Sequence, residues 1–452
     1  MYYKIEGNKV LSGSIQTLGS KNAILKLIPA SLLLSKPVTF TNVPKISDVE
    51  VELQILNALG VKYEWQEDEN TPESDREITA KLYIDPTTLS SHIIPANLAT
   101  KIRASVVFLG PLLAKFGMVE TYVPGGDSIG TRGLHTHFEI LSALGCEFEI
   151  EGNRIIGKVN KDRVTKLTNR EIWLSEPSVT ASENAIMFCA GIGLNQVRLF
   201  NLACEPHVND LVDLFRKAGV SIDGFASNSL DFQGRETDLV VNEHFVVPDH
   251  IDAASNMVPS LMTGGEITLT RVYPYTMRPI FKALKNWNIQ YEWKNYVDDY
   301  SLADIFIPAQ ELFVVDQQAA VDFAKCIYTQ PWPAFPTDFM SQVMALATKV
   351  SGTTLFYEKM YEGRMLWSTQ MLRFGASVFM ADAHRVIITG KSDLRGATAT
   401  CPDIRAGFAL LCVALAAKGE SKIYGIDHIY RAYPRIHQRL NLLGAQIEEV
   451  ED

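Results

Sequence analysis

Apolar residues along the chain gather into two kinds of run, and the two kinds alternate six times. The first kind is nearly continuous: NAILKLIPASLLL, TKIRASVVFLGPLLA, ASENAIMFCAGIG, DAASNMVPSLMTGG, DFMSQVMALATKV and IRAGFALLCVALAAKG. A helix that is apolar almost all round is a buried helix. A short strand-like segment follows each: PVTFTNV, VETYVPG, QVRLFNL, EITLTRV, TTLFYEK and SKIYGID. The second kind is an amphipathic helix that ends at Gly or Asn and passes into an alternating strand: ILNALGVKYEW, ILSALGCEFEI, LFRKAGVSIDG, ALKNWNIQYEW, MLRFGASVFM and RLNLLGAQIEE. Its anchors are Gly60, Gly145, Gly219, Asn288, Gly375 and Gly444. Gly or Asn suits a left-handed helix C-terminus, and the alternation that follows predicts a strand.

The anchors lie 69 to 87 residues apart. That is too long for most solenoid repeats and suits a compact βαβαββ module. Six modules make two globular halves of three, with a boundary near Glu243 to Asp249. The strand within residues 1 to 10 precedes the first helix and is free to pair with either half.

Polar and charged residues crowd the starts of the buried helices. They read Gly19-Ser20-Lys21-Asn22, Lys101 and Arg103, Ser178-Val179-Thr180, Asp249-His250-Ile251-Asp252, Thr337-Asp338 and Asp403-Ile404-Arg405. Capping of free N–H groups accounts for Ser178, Thr337 and Asp249. It does not account for Lys21, Arg103 and Arg405, because a cation opposes the positive end of a helix. Cations gathered at helix starts make sense around a bound anion. Two loops add to this set. Val123-Pro124-Gly125-Gly126-Asp127-Ser128-Ile129-Gly130-Thr131-Arg132 carries three glycines in six residues, with Asp127 and Arg132 riding on it; a plain surface turn is the simpler reading. Tyr361-Glu362-Gly363-Arg364 presents an arginine that a solvent-exposed side chain would explain equally well.

Composition narrows the function. The formal net charge of -10 argues against a general nucleic-acid or membrane-surface binder, both of which need a basic face. The apolar runs are too short to span a bilayer, and the first residues lack the pattern of a signal peptide. Six widely spaced cysteines form no CxxC pair, so neither a disulfide framework nor a zinc site is expected. His135-Thr136-His137 lacks an evident third ligand, so no metal is expected either. A soluble, reduced, cytoplasmic protein follows; oligomeric state does not.

At Gly19-Ser20-Lys21-Asn22-Ala23, Val123-Pro124-Gly125-Gly126, Pro177-Ser178-Val179, Ala334-Phe335-Pro336-Thr337-Asp338 and the closing repeat, the chain resembles the enolpyruvyl transferase family. The resemblance covers essentially the whole sequence. It implies an α/β fold, a two-domain inside-out α/β barrel built from six βαβαββ repeats. One domain would span 22–247 and carry a mobile Gly-rich loop at 123–133. The other would span 1–21 plus 248–452 and carry the general base, with the active site in the cleft between them. The implied reaction moves enolpyruvyl from phosphoenolpyruvate to the 3-hydroxyl of UDP-N-acetylglucosamine, with release of phosphate and no metal or organic cofactor.

By the same resemblance, Lys21 and Asn22 match a pair that contacts both substrates, and Arg103, Arg132 and Arg405 match arginines that contact phosphoenolpyruvate or the nucleotide diphosphate. Asp403 belongs to the Asp403-Ile404-Arg405 motif, which spacing selects over Ser392-Asp393-Leu394-Arg395. Arg431 matches another phosphoenolpyruvate-binding arginine, and Arg364 one that moves in on closure. Asp338 matches the carboxylate that takes the hydroxyl proton, and Ser178 and Val179 match part of the nucleotide-sugar site. Asp127 stands where many relatives have Cys; a carboxylate there implies insensitivity to fosfomycin, and service as a general acid would require its pKa to rise.

Gly133, His135, Thr180 and His250 depart from the family pattern and bear on the choice of acceptor. Two alternatives remain. One is transfer to another acceptor such as shikimate 3-phosphate, whose branch has Ser-Lys-Ser where this chain has Ser20-Lys21-Asn22. The other is a catalytically silent paralogue that binds nucleotide sugars, against which the retained Lys21, Asp338, Arg364, Asp403, Arg405 and Arg431 argue.

Overall fold

The computed structural model describes residues 1–69, 73–126, 129–168, 170–235, 237–314 and 326–451. Its sheets follow one plan. In the sheet formed by Arg170–Trp173, Asn195–Phe200, Ser229–Arg235 and Val220–Asp223, taken in spatial order, the first two strands are parallel and the other pairings are antiparallel. A buried helix, Val179–Ile192, connects the parallel pair, as a strand–helix–strand crossover requires. Four other sheets have the same order of pairings. The sixth has three strands, Met118–Tyr122, Arg154–Val159 and Cys146–Glu151, and a single parallel bridge from Ile93 to Glu120 takes the fourth place.

Among the described residues, six buried helices accompany the sheets: Lys21–Ser31, Leu109–Phe116, Val179–Ile192, His250–Thr263, Met340–Ala347 and Ile404–Ala416. The second and fifth are each led in by a 3-10 turn, Arg103–Phe108 and Thr337–Phe339. All six sequence anchors take positive φ, from 56° at Asn288 to 104° at Gly444. The left-handed turn expected at each repeat is therefore present, and Asn288 is the one anchor that adopts it with a side chain.

The chain divides into two compact units. The central unit comprises Gly19–Gly126 and Arg132–Val247; the terminal unit comprises Met1–Leu18 and Pro248–Asp452, together with the 129–131 stretch of the Gly-rich loop. Each has its own apolar core. In the central unit Leu109–Phe116 packs on Val179–Ile192, and in the terminal unit Met340–Ala347 packs on Ile404–Ala416. The N-terminal strand Tyr2–Glu6 lies between Glu420–Tyr424 and Gln446–Val450, so it completes the last repeat of the terminal unit. Gly13–Gln16 pairs with Ile267–Val272 in the same unit. Glu243–Phe245 returns to pair with Val38–Pro44 and closes the central unit. Strands far apart in sequence thus close each unit, which secures both of its ends by hydrogen bonds.

The helix starts divide into two groups. Ser20 accepts the Ala23 N–H, Asp249 those of Ile251 and Asp252, and Asp403 those of Arg405 and Ala406. Ser178 and Thr337 do not behave as expected. Ser178 stands at the N-cap position of its helix without a side-chain cap bond. The Thr337 hydroxyl instead turns to donate to buried Glu358 at 2.8 Å, a charge-assisted bond that fixes its rotamer away from the backbone N–H groups. Among the described residues no helix is long and apolar enough to cross a membrane.

Candidate active site

In the terminal unit, three of the residues singled out in the sequence meet at one carboxylate. Asp338 sits in the 3-10 turn Thr337–Phe339, Arg364 just before the 3-10 segment Leu366–Phe374, and Arg405 in the first turn of Ile404–Ala416. Arg364 Nη2 donates to Asp338 Oδ1 at 3.0 Å, and Arg405 Nη2 donates to Oδ2 at 2.8 Å. Both arginine side chains are almost fully buried, whereas 27% of the Asp338 side chain is exposed. An accessible carboxylate therefore lies against a buried cationic backing. Arg364 Nε is buried without a hydrogen-bond partner among the described residues, so this guanidinium keeps an unused donor. Arg364 is thus buried rather than solvent-exposed.

Burial works against the Arg405 charge, but Tyr433, Asp338 and Asp249 outweigh it and hold the guanidinium above its ordinary pKa. Burial also raises Asp249. His250, the first residue of its helix, is pushed down to about 4 by burial, so its imidazole is neutral at pH 7; its ring meets the edge of Trp332 at 5.6 Å. Asp403 spends Oδ1 on capping the helix that carries Arg405. Arg431 follows the short helix Asp427–Tyr430 and is half-buried.

The Gly-rich loop is tied down on the same unit. The Thr131 N–H donates to Glu362 Oε1 at 2.7 Å, and the Gly363 N–H donates to the Ile129 carbonyl at 2.9 Å. The Thr131 N–H holds the Glu362 carboxyl below its usual range. A Cβ on Gly130 would fall 2.4 Å from Glu362 Oε2, and its φ of 138° is one that residues with side chains rarely adopt, so glycine suits this close approach. Asp127, on the same loop, lies outside the described residues.

The central unit holds the other candidates. Lys21 opens the helix Lys21–Ser31, and its Nζ lies 2.8 Å from Asp48 Oδ2, with both side chains nearly buried. Asn22 follows, half-buried. Arg103 Nη2 donates to the Gly133 carbonyl at 2.8 Å. A Cβ on Gly126 would meet Arg132 Nη2 at 2.9 Å and the Arg103 Cβ at 3.1 Å, so that glycine lets the two arginines gather around one turn. Ser178 and Val179 are half-buried at the start of Val179–Ile192.

The departures from the family pattern are built into local contacts. Thr180 Oγ1 lies 2.9 Å from His137 Nε2, and Asn184 Nδ2 lies 2.9 Å from His137 Nδ1. The amide can only donate, so Nδ1 accepts and Nε2–H points to Thr180. Burial pushes His137 down to about 3, and both of its nitrogens serve this network rather than a metal. His135 is exposed, with Nε2 3.4 Å from Glu176. One group with metal-ligand spacing, Asp210, Asp213 and His244, occurs among the described residues. There His244 Nε2 lies 2.9 Å from Asp210, and Lys217 pairs with Asp213 at 2.6 Å.

Sequence reading missed Asp48, Glu362 and Tyr433. Asp48 and Glu362 are carboxylates in polar stretches, where a solvated face is the default. Tyr433 lies in the run after Arg431, and nothing local shows that its hydroxyl meets Arg405.

Comparison with known proteins gives the family and the fold. The family model described as EPSP synthase (3-phosphoshikimate 1-carboxyvinyltransferase) matches residues 5–440. A UDP-N-acetylglucosamine 1-carboxyvinyltransferase of Bradyrhizobium diazoefficiens is 36% identical over 451 residues, covering 100% of this chain and 98% of the relative. One of Treponema denticola is 37% identical over 446 residues, covering 99% and 98%. Among solved structures, the enolpyruvyl transferase NikO from Streptomyces tendae superposes with a TM-score of 0.80 at 17% identity, over 99% of this chain and 98% of the other. An EPSP synthase from Acinetobacter baumannii gives 0.71 at 16% identity, over 99% and 100%. The fold is the two-domain inside-out α/β barrel of these enzymes.

Proposed function

The chain belongs to the enolpyruvyl (1-carboxyvinyl) transferase family, and from that premise we propose that it transfers the enolpyruvyl group of phosphoenolpyruvate to the 3-hydroxyl of UDP-N-acetylglucosamine, releasing phosphate and making a peptidoglycan precursor. The names of the full-length relatives support the acceptor. The observation that carries the reaction is Asp338, an accessible carboxylate held by two buried guanidinium groups.

The proposed chemistry runs as follows. Asp338 accepts the proton of the acceptor hydroxyl, whose oxygen forms a bond to C2 of phosphoenolpyruvate while C3 takes a proton. The tetrahedral adduct then loses a proton from C3 and breaks its C2–O bond to phosphate. Asp127 is proposed to serve proton transfer at C3. Arg405 and Arg431 hold the carboxylate and phosphate of phosphoenolpyruvate, and Arg364 uses its spare N–H on the same anion. An anion that draws Arg405 away from Asp338 also frees a carboxylate oxygen to accept a proton. Lys21, Asn22, Arg103 and Arg132 bind substrate anions, and Ser178, Val179 and Asp403 complete substrate binding. Preorganised cations of this kind are each worth about 10²–10³ in rate, and a positioned base about 10²–10⁴.

The test is phosphate release from phosphoenolpyruvate with and without UDP-N-acetylglucosamine, for wild type and Asp338→Ala. Release should require the nucleotide sugar and collapse in the variant. Binding of the nucleotide sugar without release would point to a silent paralogue, and thermal stabilisation by shikimate 3-phosphate instead of UDP-N-acetylglucosamine would move the acceptor.

Asp127 in place of a loop cysteine leads to the further proposal that the enzyme is insensitive to fosfomycin. Thiol alkylation elsewhere is disfavoured, because burial raises the pKa of all six cysteines, from about 11 at Cys204 to about 12 at Cys146 and Cys401 and above the ordinary value in the rest, and the thiolate is the nucleophile. Intact-mass spectrometry after incubation with the drug should show no adduct; an adduct mapped to Asp127 would defeat the proposal.

A further inference from the structure

We propose that Tyr433 is a positioning residue for this reaction, its hydroxyl holding the Arg405 guanidinium in the orientation that meets Asp338. The inference rests on the reading of Asp338 and Arg405 above and extends it to a residue that touches neither substrate in that reading.

Three side chains from three buried helices converge on the Tyr433 hydroxyl, which is itself fully buried. Arg405 Nη1, on Ile404–Ala416, lies at 2.7 Å. Gln342 Nε2, on Met340–Ala347, lies at 2.9 Å. Ser255 Oγ, on His250–Thr263, lies at 2.9 Å. A phenol has two acceptor sites and one proton. The guanidinium and the amide can only donate, so they fill both acceptor sites, and the phenolic proton goes to Ser255 Oγ. The hydroxyl has no spare capacity, and its position is fixed from three directions.

That position determines where Arg405 points. The guanidinium is planar and its donors form a rigid fork. With Nη1 fixed on Tyr433, Nη2 is directed to Asp338 Oδ2 at 2.8 Å. The Tyr433 ring also lies 5.4 Å from the centre of the guanidinium and packs on Phe408 at 4.4 Å. The arginine needs this support, because it is a buried cation in the first turn of a helix, where the dipole disfavours positive charge. When Asp338 gives up its contact to accept a proton, or an incoming anion replaces it, the Tyr433 bond remains. Burial pushes the phenol up to about 12, so it stays neutral and keeps its proton on Ser255 throughout the working range.

Tyr433→Phe keeps the ring and deletes the hydroxyl. The KM for phosphoenolpyruvate should rise about 10- to 100-fold, the scale of one lost hydrogen bond to a charged group, while the KM for UDP-N-acetylglucosamine stays within about twofold. Phe408→Leu is the control: it disturbs the same packing, so it should lower Tm without separating the two KM values. A Tyr433→Phe enzyme with lower Tm but unchanged KM and kcat would reduce Tyr433 to a packing residue and overturn the proposal. If Tyr433→Phe does not fold, Gln342→Met removes one of the other bonds to the same hydroxyl and should give a KM change of about threefold or more in the same sense; no change would also overturn it. If the wild-type enzyme releases no phosphate with either acceptor, the functional reading fails by itself. A crystal structure of Tyr433→Phe then decides the positioning claim: Arg405 displaced from Asp338 supports it, and Arg405 unmoved rejects it.

Discussion

The two units meet the same problem, charged side chains gathered among packed helices, in opposite ways. Around Asp338 in the terminal unit each charge has a short partner: two guanidinium groups at 2.8 and 3.0 Å, with Tyr433 behind one of them. Around Glu183 in the central unit the acids outnumber their close partners. Both oxygens of Glu52 and of Glu183 are buried without a hydrogen-bond partner among the described residues. Lys26 Nζ and His207 Nε2 come only to 3.7 and 3.8 Å of Glu183. Burial raises Glu52 well above its usual pKa and pushes Glu183 up to about 8. The first cluster binds its acid to two cations and leaves it part-exposed; in the second, burial shifts both acids toward the protonated form. A buried carboxylate remains charged where hydrogen-bonded cations repay its desolvation, and takes up a proton where they do not.

One kind of substitution, acid to amide, should separate the two clusters by the sign of its effect. The largest effect is expected for Asp338→Asn. It removes the proposed base, so phosphate release should fall about 10²- to 10⁴-fold. It also removes the hydrogen-bonded counter-charge of buried Arg364 and Arg405, leaving Asp249 as the acid that still acts on Arg405. Breaking a buried pair costs about 3–5 kcal/mol; the part-exposed carboxylate reduces that here to roughly 1–3 kcal/mol. Turnover and urea unfolding measured on one preparation would check both. Unchanged stability would mean that the arginines do not depend on Asp338, and the contrast between the clusters would disappear.

The parts of this contrast that sequence reveals are those encoded by local pattern. Six apolar helices and six left-handed turns are legible because each depends on a periodicity or on one residue type at one place. Asp338, Arg364 and Arg405 could be named in advance through resemblance, and the structure brings the three together. The ladder of acids could not be named. Asp48 and Glu52 lie four residues apart on Ser47–Ala58 beside exposed Glu50, and the helix reads as charged on a solvated face. Only tertiary packing turns two of these acids inward, toward Lys21 and Lys26. For the same reason Ser178 and Thr337 read as caps: the carboxylate that draws the Thr337 hydroxyl, Glu358, is twenty-one residues away. The pairing of Tyr2–Glu6 was open because strand character says nothing about which sheet a strand joins.

Glu183→Gln should act in the opposite direction to Asp338→Asn. Burial pushes the folded pKa of Glu183 from an ordinary 4.5 up to about 8. Between these values the unfolded chain has lost a proton that the folded chain keeps, so stability declines as pH rises from about 4.5 to about 8. Gln mimics the protonated acid and removes that decline. The variant should match wild type near pH 4.5 and exceed it near pH 8 by an amount on the order of 1–3 kcal/mol. Unfolding midpoints at the two pH values would show this. A variant destabilised equally at both would mean that Glu183 works as an ionised partner of Lys26, and that the two clusters follow one rule after all.

The smallest expected effect is also the most specific to the central cluster. Burial raises Glu52, and repulsion from Asp48 and Glu183 adds to it, while Lys26 lowers both Glu52 and Glu183. Two acids that sense each other titrate as a pair, and neutralising one relieves the other. The gain from Glu52→Gln measured at pH 8 should therefore be smaller in a Glu183→Gln background than in wild type. The interaction energy in this double-mutant cycle should be roughly 0.5–1 kcal/mol, at the low end of the range for coupled neighbours. At pH 4.5, where both acids are protonated with or without the neighbour, it should fall toward zero. A pH-independent interaction would point to steric packing between the side chains. Strict additivity at both pH values would make Glu52 and Glu183 two separate buried acids, each desolvated by its own surroundings, and the contrast with the arginine-bound Asp338 would then rest on burial alone.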